Sequence, residues 1–355
     1  MEETAQHIVD VIGDYHNYRG FQFTTDHVIK WVKQFDEPDQ QFILEEFYHI
    51  LQKGCYISEN KARSLLMNIV NELAKEHGFK TVTAFLENCE FLMLQDEGKS
   101  QDVLLKMLDE EIQKKGHPGI KFCGSKSKKY KVYIDDIIAT GGSVFKHLLG
   151  WLQNKNEDDE TNLEKVKSGE IKLSVGVFCL HTWAGWEWRL KESLKDNGIL
   201  KKITTCYQHL IDNHPKSHNP KFNFAYPVND NDPYVNDYIN SLHEDAVRHD
   251  AFTYRNPQYP AEEKFYSSPE NRKRFEKILL TKGIKILSQA NHLEKNHRPL
   301  GCTFPSFKTF GTGTMFFTWR NISNTCPVVY WWKSANWQPL FPLYHRGLGK
   351  VIFGI

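Results

Sequence analysis

Asp135 and Asp136 close an apolar run, Tyr130-Lys131-Val132-Tyr133-Ile134, and lead through Ile137-Ile138 into Ala139-Thr140-Gly141-Gly142-Ser143. Paired acids just ahead of small residues put two complementary chemistries side by side. Carboxylate oxygens accept hydrogen bonds from sugar hydroxyls, or hold a hydrated Mg²⁺. Ala139 through Ser143 offer backbone N–H groups and the hydroxyls of Thr140 and Ser143, with no large side chain in the way. At the start of a helix such N–H groups are unpaired and lie at the positive end of the helix dipole, which suits phosphate. Phosphate and polyol recognition at one junction imply a phosphorylated ribose.

That junction needs a strand before it and a helix behind it, and the local pattern supplies both. Val132 and Ile134 alternate with Tyr133, and β-branched residues continue through Ile137 and Ile138. Apolar residues at 144, 145, 148, 149, 151 and 152 have helical spacing. A second strand–loop–helix unit precedes this one. Phe91-Leu92-Met93-Leu94 is a short apolar run, Gln95 to Ser100 a polar loop, and Asp102 through Glu111 a helical pattern. Ile171 to Leu180 reads as a buried parallel strand beside the motif strand. Trp183, Trp186 and Trp188 follow beyond its carboxyl end, where parallel sheets place ligand loops. They can stack on a base or pin a helix to the core, and the second use is the commoner.

The pattern divides the chain into four stretches. Residues 1–80 read as a helical region, with amphipathic segments at Thr25–Phe35, Gln41–Leu51 and Ser58–Lys75. Residues 81–210 form the α/β core. Residues 211–300 are polar and punctuated by proline, an insertion or lid with helices over Pro233–His249 and Pro269–Leu287. Residues 301–355 are aromatic and β-rich, with a hairpin of Gly311–Trp319 against Cys326–Trp332. Asn154 to Glu160 reads as a solvated charged connection.

A net charge of +1 argues against a broad nucleic-acid-binding face, though not against a local basic patch. Neither a signal-peptide pattern nor an apolar run near ~20 residues is present, so a soluble cytoplasmic protein with no membrane partner is expected. The seven cysteines are scattered and form no CxxC pair, which fits a reducing compartment. Cys206, His209, His214 and His218 have zinc-ligand types, but the interval spans Pro215 and lacks a second half-site.

The stretch from Tyr130 to Ser143 resembles the phosphoribosyl pyrophosphate (PRPP) loop of type I phosphoribosyltransferases: a hydrophobic strand, two acids, two apolar residues, then small-Thr-Gly-x-Ser/Thr. Lys131, where an apolar residue is more usual, is the one departure. Ile29–Phe35, Tyr56-Ile57-Ser58, Phe310–Gly313, Asn321–Pro327 and Trp331-Trp332 extend the likeness to a branch found in bacterial conflict and anti-phage systems, the retron-type effectors. The resemblance implies a parallel-sheet core that binds PRPP with Mg²⁺ and transfers phosphoribose to an acceptor. Asp135 and Asp136 would hold the ribose hydroxyls and favour positive charge at the anomeric carbon. Ala139, Thr140, Gly141, Gly142 and Ser143 would hold the 5-phosphate, and the Mg²⁺ would ride on the substrate. The upstream loop would take the pyrophosphate through Gly98, Lys99 and Ser100, a segment that a solvent-exposed turn explains equally well. A restraining protein or nucleic-acid partner in a defence complex is also implied. Two other readings stay open. One is a PRPP- or nucleotide-sensing module with the same fold and no transfer, which would not need both acids. The other is an unrelated phosphate-binding α/β protein, disfavoured because no Gly-x4-Gly-Lys-Ser/Thr sequence occurs.

Overall fold

A computed structural model of the chain describes residues 1–155, 159–214, 220–242 and 253–343. These fall into two compact units, one made of Met1–Glu59 with Ile211–Ile355 and the other of Asn60–Leu210. The first begins with helices α1 (Glu2–Ile12), α2 (Thr25–Val32) and α3 (Glu37–Ile50) and a two-residue strand β1 (Tyr56–Ile57). Thr24 caps α2 by accepting from the backbone N–H of His27 at 3.2 Å. Pro38 stands in the first turn of α3, where its missing N–H leaves no bond unmade.

The second unit carries α4 (Glu59–Glu76), α5 (Val82–Leu86), β2 (Cys89–Phe91), α6 (Ser100–Lys114), β3 (Tyr130–Ile138), α7 (Gly142–Gln153), α8 (Asn162–Ser168), β4 (Lys172–His181), α9 (Trp186–Leu194) and β5 (Ile203–Ile211). Its strands make one all-parallel sheet in the order β2-β3-β4-β5. Cys89 pairs with Tyr130 and Tyr130 with Lys172, so the strands start level and their carboxyl ends share one rim. Side chains alternate across the sheet. Tyr133, Leu173, Val175 and Val177 face Val144, Leu148 and Leu152 of α7, Val166 of α8, and Trp186 and Leu190 of α9. The other face takes α4 at Gly176, where an added Cβ would come 2.5 Å from Ile69 Cγ2. Arg63 of α4 bonds Glu110 at 2.7 Å and Glu111 at 3.2 Å, which ties α6 beside it.

The chain then returns to the first unit through α10 (Pro233–Ser241), α11 (Pro269–Ser288), β6 (Phe317–Thr318), β7 (Asn321–Ile322) and α12 (Val328–Trp331). The span expected to be an insertion or lid is built round a buried ionic network. Arg272 and Glu276, 1% and 0% exposed, bond at 3.1 Å, and Glu276 also accepts from the backbone of Tyr226 at 2.9 Å. The expected helix over Pro233–His249 runs to Ser241, and residues 243–249 lie outside the described residues. Also outside them are 156–158 of the charged connection.

The C-terminal hairpin expectation is corrected. β6 pairs antiparallel with β7 only over Phe317–Thr318 and Asn321–Ile322, and β1 adds to it in parallel. Cys326 to Trp332 is not the partner strand. Pro327 supplies no N–H for a ladder, and the residues after it coil into α12. The carbonyl of Val329 instead accepts from the indoles of Trp31 at 2.9 Å and Trp337 at 3.1 Å.

Candidate functional site: the β3–α7 junction

β3 ends at Ile138 and α7 starts at Gly142, so Ala139, Thr140 and Gly141 make the whole turn between them. Gly141 is the residue before the helix and has φ +76°, a left-handed conformation that favours glycine. A Cβ there would also lie 2.7 Å from Trp186 Cβ and 2.9 Å from Trp186 N, so α9 packs directly on the turn. Trp186 is 1% exposed and belongs to the core, as the packing reading expected, whereas Trp183 is half-buried and Trp188 is 63% exposed. At Gly142 the surroundings are open. An added Cβ would meet only Arg189 Nη1 at 3.7 Å and Thr140 Oγ1 at 4.0 Å. Arg189, whose guanidinium lies 4.3 Å over the Phe145 ring, therefore stands at the amino end of α7. A helix terminus with an adjacent guanidinium suits a phosphate. Ser143 is exposed and Ala139 buried.

Asp135 and Asp136 leave β3 on opposite faces, as consecutive strand residues must. Asp135 shares its face with Tyr133 and is 6% exposed. Its Oδ2 accepts from the Tyr133 hydroxyl at 2.9 Å and from Gln95 Nε2 at 2.8 Å, and its Oδ1 accepts from the Asp136 N–H at 3.0 Å. Asp136 is half-buried, and its Oδ1 accepts from the Ile137 N–H at 2.8 Å. The Tyr133 hydroxyl gives its proton to Asp135, takes a bond from Gln95 Nε2 at 3.1 Å, and lies 3.0 Å from His147 Nδ1. With its proton committed, the oxygen can only accept from His147, which places the imidazole proton on Nδ1. Burial pushes the Tyr133 pKa up, and the Asp135 charge adds to the effect. Burial lowers the His147 pKa, Lys99 lowers it further, and Asp96 opposes them, so the ring is neutral at pH 7.

The upstream loop reaches the same place. Gln101, fully buried at the start of α6, accepts from the backbone N–H groups of Leu94 and Gln95 and donates to the Ile134 carbonyl at 3.2 Å. That fastening fixes Gln95 against Asp135. Gly98, Lys99 and Ser100 lie at the amino end of α6, and the Gly98 N–H donates to Asp102 Oδ2 at 2.8 Å. Lys99 is ion-paired with Asp96, and both act on His147, as does Lys146. The structure thus brings the upstream loop, the two acids and the glycine turn to one rim of the sheet. Sequence reasoning missed Gln95, Gln101, Tyr133, His147 and Arg189. Period-two alternation would have paired Tyr133 with Asp135; nothing local points to the others.

Of the Cys206, His209, His214 and His218 set, the two on β5 are held apart. Cys206 and His209 face opposite sides of β5, Cys206 Sγ donates to Glu72 Oε2 at 2.9 Å, and His218 lies outside the described residues. Among the described residues no three His, Cys, Asp or Glu side chains are grouped to hold a metal. No helix among them is long and apolar enough to cross a membrane.

A parallel sheet with two acids at a strand end and a glycine turn opening the next helix defines a phosphoribosyltransferase-like fold. The chain belongs to the PRTase-CE family, whose model matches residues 28–343. Comparison with curated proteins and with solved structures gave no match.

Proposed function

We propose that this chain binds PRPP at the β3–α7 junction and transfers phosphoribose to an acceptor, in the cytoplasm and in an anti-phage setting. The observation that carries the reading is the alignment of Asp135 and Asp136 with the left-handed turn at Gly141 and the open amino end of α7. The N–H groups of that end, the hydroxyls of Thr140 and Ser143 and the Arg189 guanidinium would hold the 5-phosphate. Asp135 and Asp136 would accept from the ribose hydroxyls, and their charge would stabilise the cationic anomeric carbon that develops as pyrophosphate departs. Stabilisation that grows toward the transition state is what speeds the step. The leaving group would meet the amino end of α6 with Gly98, Lys99 and Ser100. Asp135 and Asp136 face opposite sides of β3 and would not chelate one ion together, so Mg²⁺, a hard cation, would be carried by substrate and water oxygens beside them. Bound there with the substrate, it would neutralise charge on the pyrophosphate.

A second reading, a PRPP- or nucleotide-sensing module without transfer, is favoured by one contact set. Asp135 Oδ2 already accepts from Tyr133 and Gln95, so a ribose hydroxyl bonding that oxygen would compete with Gln95, which sits on the upstream loop. Ligand at one loop would thereby move the other, as a sensor held by a protein or nucleic-acid partner requires.

The test is isothermal titration of PRPP with Mg²⁺ into wild type and Asp135→Asn/Asp136→Asn, followed by pyrophosphate release. The paired change removes charge at nearly constant volume, so binding and release should both fall at least tenfold. Equal binding by both proteins would remove the site. Binding without release, in the presence of candidate acceptors, would select the sensor.

A further inference from the structure

The chain between α6 and β3 folds back along the start of β2. The Gly124 N–H donates to the Leu86 carbonyl at 3.0 Å, the Lys126 N–H to the Glu87 carbonyl at 2.9 Å, and the Tyr130 N–H to the Asn88 carbonyl at 3.2 Å. Lys126 Nζ adds an ion pair with Glu87 Oε2 at 2.6 Å. Gly124 permits the close approach. It has φ +73°, and an added Cβ would lie 3.3 Å from the Cys89 carbonyl oxygen. The turn before it is fastened to α6, because the Ile120 N–H donates to Asp109 Oδ1 at 2.6 Å and the Cys123 N–H to the Ile120 carbonyl at 3.0 Å. Two cysteines far apart in the sequence, Cys89 and Cys123, are thereby set side by side.

Their side chains meet, and the Cys89 thiol donates to the Cys123 sulfur. The two sulfurs differ in their surroundings. Cys123 is half-buried, and of the seven cysteines it alone is not buried. The bond from Cys89 holds the Cys123 thiol below its ordinary range, against burial and the Asp109 charge. The same bond, with burial, pushes the Cys89 thiol up. One sulfur is therefore reachable from solvent and the readier to ionise, while the other is a buried thiol in contact with it. That is the arrangement of an attacking and a resolving cysteine. In a reducing compartment such a pair serves transient, sensing chemistry and is no permanent staple. The remaining thiols are placed differently: Cys55, Cys179, Cys302 and Cys326 are buried, and buried Cys206 donates to Glu72.

We infer that Cys89 and Cys123 form a reversible oxidation site for peroxides, with Cys123 attacking and Cys89 resolving. The Cys123 thiolate attacks one peroxide oxygen and the O–O bond breaks, leaving a sulfenic acid and releasing hydroxide. Cys89 sulfur then attacks Cys123 sulfur and expels the sulfenic oxygen as water, which carries away the Cys89 proton. Two thiols are oxidised to one disulfide, and one hydrogen peroxide is reduced to two waters. The crosslink closes a ring of chain that contains the upstream loop, Gln95 to Ser100, and all of α6.

The probe is hydrogen peroxide, added to the reduced and folded full chain. The reaction is stopped by alkylation under denaturing conditions, and the peptides are mapped by mass spectrometry. Wild type should lose two of its seven thiols to a Cys89–Cys123 crosslink, and dithiothreitol should restore both. Cys123→Ser, a change at a half-buried position, should lose thiols at least about tenfold more slowly. Cys89→Ser should leave a sulfenic acid at Cys123 that dimedone traps. If circular dichroism shows that this buried substitution unfolds the chain, the wild-type map and Cys123→Ser still decide. The inference is overturned if oxidised wild type lacks the crosslink, if other cysteines pair as readily, or if Cys123→Ser is oxidised as fast as wild type. A crosslink that forms only in urea would equally overturn it, since the folded chain would then not hold the two sulfurs together. None of these readouts involves PRPP, so they are independent of the reading of the β3–α7 junction.

Discussion

Gly141 and Gly142 are neighbours of identical composition, yet the structure assigns them opposite sensitivities to one methyl group. At Gly141, alanine must hold φ +76°, which costs an L-residue about 1–2 kcal/mol. Its Cβ would also press on Trp186 Cβ at 2.7 Å and Trp186 N at 2.9 Å. Those atoms belong to the start of α9 and cannot swing aside as a side-chain tip can, so overpacking adds about 1–3 kcal/mol. The total is about 2–5 kcal/mol. At about 2–4 °C per kcal/mol for a domain of this size, the Tm of Gly141→Ala should fall by about 4–20 °C. Gly142→Ala meets nothing closer than 3.7 Å and stands in a helix, so it should be neutral or gain up to about 1 kcal/mol. Its methyl, however, enters the space between Thr140 Oγ1 and Arg189 Nη1 where the 5-phosphate is proposed to lie. Differential scanning fluorimetry with PRPP titration separates the two effects. Gly141→Ala should lose stability, whereas Gly142→Ala should keep stability and bind PRPP at least tenfold more weakly. Equal Tm values would refute the account of the turn, and unweakened binding by Gly142→Ala would refute the placement of the phosphate.

Tyr133→Phe removes the hydroxyl shared by Asp135, Gln95 and His147 at almost constant volume. Loss of a hydrogen bond to a charged group should cost about 1.5–3 kcal/mol in a urea melt, and no change in midpoint would mean the bond contributes nothing. His181, at the end of β4, is 1% exposed, and burial, aided by His209, pushes its pKa down to about 3 from the ordinary 6.5. Its folded-state value is the depressed one, so its contribution is complete above pH 6.5 and is lost as pH falls toward 3. The loss is on the order of 5 kcal/mol at most. His181→Gln should flatten the acid limb of a pH–stability curve, and an unchanged limb between pH 6.5 and 3 would exclude His181 as its source.

What could be read from the sequence was what the chain encodes locally. The β3–α7 motif is contiguous, so hydrophobic alternation, paired acids and glycines gave strand, turn and helix with their boundaries nearly in place. The same holds for α11, expected over Pro269–Leu287 and found over Pro269–Ser288, with its Ser268 cap. Reading failed where a partner far along the chain decides the outcome. Cys326 to Trp332 is rich in β-formers, yet Pro327 and the indoles of Trp31 and Trp337, bonded to the Val329 carbonyl, outweigh that propensity. The same reasoning applies within the site. Asp135 was visible as an acid, but its state was not, because Gln95 reaches it from another loop and Gln101 fixes Gln95. Arg189 comes from α9, and only the packing of Trp186 on Gly141 brings it to the amino end of α7. A motif therefore specifies which atoms face a ligand, while the elements packed around it set how strongly those atoms are already engaged. For this chain that engagement is Gln95 and Tyr133 on Asp135 Oδ2, which a ligand competing for that oxygen would have to displace.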